Sequence, residues 1–241
     1  MLTANENPAG GDRLFMKGAT LSDSGDYLRP IVHVVDDDVS VRTALQRLFE
    51  SVGFEVAAYA SGQAFLDEHD PMTPGCVILD LRMPELDGME VQEQLATRGG
   101  ALPVIVLTAY PEVRTAVRST KLGAVDVLEK PYDGDELIQH VRDAIAADER
   151  RRSQRRQVAE IAERVKALTP RENQVLELVL DGKLNKQSAT HLGISERTVE
   201  EHRTRLMRKM QARSVAELVR MVMLLRHHQA GGDGEDAGAG I

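Results

Sequence analysis

Residues 77–88 read VILDLRMPELDG, and the order of residue types in that stretch decides the fold. Val77-Ile78-Leu79 is short and wholly apolar, the pattern of a strand covered on both faces, as in a parallel sheet. The run stops on a carboxylate, Asp80, and then meets Pro84 and Asp87-Gly88, which signal a loop turning back into the next element. Open α/β sheets gather their functional groups just there, outside the carboxyl ends of the strands.

Outward from this stretch the same alternation repeats. Apolar runs fall at 31–35, 55–59, 76–79, 104–107 and 125–128. Between and after them, 41–52, 61–68, 89–97, 113–122 and 136–147 carry apolar residues at three and four spacing. Five strand–helix units predict an α/β doubly wound domain with five parallel strands, helices on both faces. Gly53 and Gly123 fall just past two of the helices, where a left-handed cap favours glycine.

Composition bounds the rest. Of the 241 residues 42% are hydrophobic and 28% charged, which suits a globular protein, and no apolar run approaches the roughly 18 residues of a membrane span. The N-terminus lacks the pattern of a secretory signal, so the expected location is cytoplasmic. The single cysteine, Cys76, lies in an apolar run and reads as a small buried hydrophobe. Charge divides sharply: residues 30–146 hold 20 acids and 9 bases, a net −11, whereas residues 147–229 hold 11 acids and 18 bases, a net +7. An acidic module joined to a basic one suggests a nucleic-acid partner for the second, and is also compatible with an internal electrostatic contact between the two. The expected division is a disordered arm at 1–29, the α/β domain at 30–146, a charged helical linker at 147–166, a basic domain at 167–229 and a disordered tail at 230–241.

The basic domain opens with Thr169-Pro170-Arg171-Glu172, a capping box with proline at the first helical position. Helices are expected at 170–180, 186–192, 196–210 and 215–225. A short helix, a glycine turn at Gly193-Ile194-Ser195 and a longer helix form a helix-turn-helix pattern, which makes this second domain all-α.

Polar groups stand at four strand ends: Asp36-Asp37-Asp38, Asp80, Thr108 and Lys130-Pro131. Carboxylates converging on one point repel unless a cation sits among them, and a hard oxygen site suits Mg²⁺. Phosphoryl transfer to Asp80 is the chemistry implied. Asp38 reads as a helix N-cap rather than a ligand.

The stretches VVDDD, VILDLRMPELDG, VIVLTA and DVLEKPY, spread over residues 31 to about 146, resemble the flavodoxin-like receiver domain of two-component response regulators. The resemblance implies Asp80 as phosphoacceptor, Thr108 as switch hydroxyl and Lys130 as the phosphate-binding ammonium. It implies that Asp36, Asp37, Asp80 and the Arg82 carbonyl hold Mg²⁺, and that Lys130-Pro131 is a candidate cis bond. It also implies a sensor histidine kinase as phosphodonor. One departure is Val127, where the family usually has Tyr or Phe, and Tyr132 lies beyond the proline.

Residues 168–225 resemble the LuxR-type helix-turn-helix of the FixJ/NarL class. Projected at 100° per residue, Val199, Leu206 and Met210 share the core side of the third helix, while Glu200, Glu201, Thr204, Arg205 and Arg208 share the opposite side, which would enter a major groove. The two glutamates either accept from base amino groups or pair with Arg205 and Arg208. Lys183, Lys186, Thr198, Arg203 and Lys209 read as phosphate contacts. Ser188 stands where the family has an apolar core residue. By resemblance the last helix carries a dimer contact, with Met221, Met223 and Leu224 as its candidates.

The combined expectation is a non-enzymatic regulator that binds promoter DNA as a homodimer after phosphorylation of Asp80, with RNA polymerase as a further partner. The alternative is a regulator that binds DNA without phosphorylation and uses the first domain to dimerise. An aspartyl-phosphate phosphatase is disfavoured because Arg82 stands where that chemistry needs an acid.

Overall fold

The structure, a computed structural model, describes residues 29–98, 102–109 and 113–235. The arm expected at 1–29 and the end of the tail therefore lie largely outside the described residues. The strands are β1 (Ile31–Val35), β2 (Glu55–Tyr59), β3 (Gly75–Asp80), β4 (Val104–Thr108) and β5 (Ala124–Glu129). Interleaved with them are α1 (Val39–Ser51), α2 (Gly62–Glu68), α3 (Gly88–Thr97), α4 (Val113–Lys121) and α5 (Gly134–Lys166). The strands pair in parallel in the order β2-β1-β3-β4-β5, so β3 is central and the order reverses beside β1.

Both faces of the sheet are packed. Val32, Val34, Cys76, Ile78, Ile105 and Leu107 meet α1 and α5 through Leu45, Phe49, Leu137 and Val141. Their strand neighbours Val35, Val77, Leu79 and Val106 point the other way, toward Phe65 and Leu66 of α2 and Val91 and Leu95 of α3. Strict alternation on both faces is why these strands read as continuous apolar runs. Cys76 is fully buried, and burial pushes its thiol up to about 12, which leaves it inert.

Gly75 is required by crowding: a Cβ there would lie 1.9 Å from the Ile31 carbonyl oxygen, and its φ is +148°. Gly53 and Gly123 hold φ of +89° and +94° past α1 and α4, as their capping role requires.

One buried polar group carries a pH prediction. His33 on β1 is 3% exposed and packs among Tyr59, Phe65 and His69. Its Nδ1 lies 3.2 Å from the Tyr59 hydroxyl, and its Nε2 has no hydrogen-bond partner among the described residues. Burial, and then the neighbouring His69, lower its pKa from 6.5 to about 4. The unfolded chain therefore binds the extra proton first, so this contribution is intact above pH 6.5 and is lost as pH falls toward 4. Between pH 7 and pH 5 the loss is about 2 kcal/mol. Urea unfolding of His33→Leu should show that much less acid sensitivity than the parent; equal slopes would contradict it.

The second module comprises α6 (Pro170–Leu180), α7 (Asn185–Leu192), α8 (Glu196–Met210) and α9 (Val215–Glu235). Thr169 and Glu172 form the expected capping box, and Gly193 adopts the left-handed conformation between α7 and α8. Val175, Leu176, Leu206, Met210, Leu218 and Val222 fill the core, joined by Ile161 from the end of α5. α5 runs unbroken from Gly134 through the expected helical linker to Lys166; 148–166 is rich in helix formers and contains neither proline nor glycine. α9 continues to Glu235, past the helix end expected at 225; its glycines lower helix propensity, but no proline stops it. Among the described residues no helix is long and apolar enough to cross a membrane.

Candidate phosphoacceptor site and nucleic-acid interface

The acidic site forms where β1, β3, β4 and β5 end side by side. Asp80 closes β3, its Cα partner on β4 is Leu107, and Thr108 in turn pairs with Glu129, one residue before Lys130. The Lys130 amide donates to the Thr108 carbonyl (2.8 Å), which seats the start of the last loop, and the Lys130-Pro131 bond is cis. That loop returns the Lys130 ammonium over the sheet edge, where Nζ donates to Asp80 Oδ1 (2.6 Å) and Asp36 Oδ2 (2.9 Å). The other oxygens are also engaged: Asp80 Oδ2 accepts from the Arg82 amide (2.8 Å) and Asp36 Oδ1 from the Asp38 amide (2.9 Å).

Asp36 and Asp80 are 2% and 8% exposed, whereas Asp37 beside them is exposed to solvent. Burial raises the Asp80 pKa, partly offset by its bond from Lys130. Burial alone would lower the Lys130 pKa, but its bonds to Asp80 and Asp36 outweigh this and raise it. Lys130 therefore stays charged, and its single ammonium is shared by the two buried carboxylates and offsets one of them. Asp38 is the N-cap of α1, accepting from the Ser40 amide (2.7 Å). Thr108 is 3% exposed at the site's floor. Gly88 explains the Asp87-Gly88 pair: a Cβ there would stand 2.4 Å from the Asp80 carbonyl oxygen. Asp87 caps α3 through a capping box with Glu90.

Among the described residues no three His, Cys, Asp or Glu side chains gather into a ready metal cage. The donors nevertheless suit Mg²⁺, which keeps several waters and needs only one or two carboxylates from a protein. Asp37 offers a solvent-facing carboxylate beside Asp36 and Asp80. The aromatic position of the family is filled by Val127, which packs on the α2–α3 side of the sheet. Tyr132 packs on the opposite, α1–α5 side, so it does not take over that place.

In the basic module Ser195 caps α8, accepting from the Thr198 amide (3.1 Å). α8 buries Val199, Leu206 and Met210 and exposes Glu200, Glu201, Thr204, Arg205 and Arg208. The two glutamates differ. Glu201 pairs with Arg197 (3.8 Å) and Arg205 (3.7 Å), whereas Glu200 has no ion pair among the described residues. Lys183, in the turn before α7, and Lys186, in its first turn, are exposed, and Arg203 donates to the Lys183 carbonyl (3.5 Å).

Lys209 has a different setting from the phosphate contact its sequence position suggests. Its Nζ lies 2.7 Å from Glu172 Oε2 and 3.0 Å from the Ala167 carbonyl oxygen. The Lys209 bond, aided by Thr169, holds the Glu172 carboxyl down at about 2. Glu172 is 3% exposed, so Lys209→Met strands a buried acid and should lower the stability of this module by about 2 kcal/mol. Calorimetry would show it; an unchanged transition would mean the pair contributes nothing. Ser188 is 1% exposed, so a hydroxyl does occupy a core position on α7.

Comparisons with known proteins agree with this geometry. Residues 32–142 match the family described as response regulator receiver domain, and residues 166–222 match bacterial regulatory proteins of the luxR family. Residues 143–165 lie outside both matches. The chain is 44% identical over 193 residues to the transcriptional regulatory protein FixJ of Azorhizobium caulinodans, covering 80% of this chain and 92% of that one. It is 40% identical over 196 residues to the response regulator protein TodT of Pseudomonas putida, covering 81% and 86%. Among solved structures, the response regulator StyR matches at TM-score 0.75 and 39% identity, covering 81% of this chain and 98% of that one. Full-length FixJ from B. japonicum matches at 0.52 and 39%, covering 83% and 99%.

Proposed function

Because the chain belongs to the two-component response regulators that join a receiver domain to a LuxR-type DNA-binding domain, we propose that Asp80 is its phosphoacceptor and α8 its DNA-reading helix. As a member of that family it is a DNA-binding transcriptional regulator governed by phosphorylation from a sensor kinase. The junction of Lys130 with Asp80 and Asp36 carries the assignment.

A carboxylate oxygen of Asp80 attacks the phosphorus of a phosphohistidine, the P–N bond breaks, and the phosphoryl group passes to Asp80 as an acyl phosphate. Lys130 is already within bonding distance of Asp80, so its ammonium binds a phosphoryl oxygen once that carboxylate is esterified. Thr108, buried beside it, supplies a hydroxyl to another. Asp36, Asp37, Asp80 and the Arg82 carbonyl would hold Mg²⁺, which when bound neutralises charge on the transferring group. Arg82 stands where a phosphatase would need a general acid, so the acyl phosphate is a signal rather than an intermediate of turnover.

On the DNA side, Arg205 and Arg208 and the free carboxylate of Glu200 face the major groove, while Lys183, Lys186 and Arg203 position the module on phosphates. The active species is a homodimer that recruits RNA polymerase. Exposed Met223 on α9, together with exposed Val113 and Val117 on α4, supplies apolar contacts between copies. Selection of sites from a random DNA pool by the full-length chain, with beryllofluoride and Mg²⁺, should enrich a two-fold symmetric site. Equal enrichment without the mimic would favour the phosphorylation-independent regulator, for which Val127 is the supporting feature.

A further inference from the structure

Asp148 on α5 is a buried acid that neither site uses, and it lies in the interval outside both family matches. It continues the receiver-facing stripe of Leu137, Val141 and Ile145 at helical spacing, yet it is polar and 2% exposed. Its Oδ2 accepts from the Gly75 amide (3.3 Å) and from Arg152 Nε (2.6 Å), and its Oδ1 lies 3.3 Å from Arg151. The Arg152 guanidinium then donates to three consecutive carbonyls, those of Pro71 (3.3 Å), Met72 (2.9 Å) and Thr73 (3.0 Å). The helix is thus clipped to the turn that begins β3, the strand that ends on Asp80. All six residues of β3 are buried, so phosphoacceptor and clip stand at opposite ends of one rigid strand.

Past the clip, Ser153 to Gln157 are exposed on every side of the helix. Val158, Ile161 and Val165 then enter the core of the DNA module, and Arg164 donates to the carbonyl of Met210 (3.3 Å), the last residue of α8. At 100° per residue this second stripe lies roughly 120° around the helix from the receiver-facing one. A flexible tether needs no buried ion pair, whose desolvation is costly unless its geometry is fixed. A continuous helix held at both ends transmits rotation.

We propose that Asp148 and Arg152 are positioning residues that set the rotation of α5 on the receiver, making residues 153–157 a rigid lever whose helical phase orients α8. The inference rests on the reading of Asp80 as the switch. The test uses the full-length chain and the DNA site it selects, and reads the ratio of affinities with and without beryllofluoride and Mg²⁺. One alanine inserted after Gln154 turns the lever by about 100°, whereas seven residues restore the phase to within about 20°. Fluorine NMR of bound beryllofluoride confirms an intact Asp80 end in each variant.

The single insertion and Arg152→Ala should bring the ratio to within about twofold of one, while the seven-residue insertion keeps it within about threefold of the parent. An unchanged ratio in the single insertion or in Arg152→Ala overturns the proposal, as does loss of the ratio in the seven-residue insertion. A parent ratio of one would instead remove the Asp80 switch, and the lever with it.

Discussion

Replacing Asp80 by asparagine should reduce phosphate incorporation from a small-molecule phosphodonor from up to one phosphate per chain to background, a loss of at least about a hundredfold. The amide keeps the side chain's shape, and its one oxygen can accept from either Lys130 Nζ or the Arg82 amide, which bond Oδ1 at 2.6 Å and Oδ2 at 2.8 Å in the carboxylate, so a single hydrogen bond is lost. The fold should therefore survive, while the nucleophile is gone. Intact mass after incubation with acetyl phosphate and Mg²⁺ reads the outcome. Undiminished incorporation would place the acceptor elsewhere, and Asp37, the exposed acid beside the site, would be the first residue to examine.

Gly75→Ala should be the most damaging conservative change in the receiver. The new methyl would stand 1.9 Å from the Ile31 carbonyl oxygen and 2.9 Å from the Ile31 amide nitrogen, in backbone that cannot retreat because Ile31 itself donates to the Pro74 carbonyl. Steric displacement and a φ of +148° together should cost about 3 to 5 kcal/mol. Gly53→Ala supplies the contrast: φ is +89°, but nothing lies within 4 Å of a Cβ, so only backbone strain of about 1 kcal/mol is expected. Urea unfolding of the two variants separates the causes. Equal losses would show that the close approach at Ile31 is relieved at little cost.

Much of this was legible in the sequence, for reasons that are local. Five apolar runs located five strands to within a residue, because strands covered on both faces are mostly apolar even where a polar residue such as His33 or Asp126 interrupts them. Asp38, Thr169 and Ser195 announced helix starts through their own side chains. The acids and Lys130 were recognisable because strand ends in this topology converge.

What was hidden depends on partners far apart in the chain. Arg152 reads as one member of a charged helical face, and nothing near it reveals that it meets carbonyls about eighty residues earlier. Lys209 reads as a phosphate contact because its partner, Glu172, is already accounted for by a capping box four residues long. The glutamates at 200 and 201 look alike in sequence, and only their neighbours in space distinguish them. His33 looks like any polar interruption of a strand until its ring is found among three others.

In the proposed function a phosphoryl group on Asp80 controls DNA binding. A coupling of about 1 to 3 kcal/mol between the two sites suffices, which corresponds to roughly a 5- to 150-fold change in affinity. The most direct measurement is fluorescence anisotropy of the selected DNA site titrated with the full-length chain, with and without beryllofluoride and Mg²⁺, at one fixed salt concentration. The mimic should tighten binding by a factor in that range, with none of that gain for Asp80→Asn. Identical affinities for the parent chain in both conditions would contradict it.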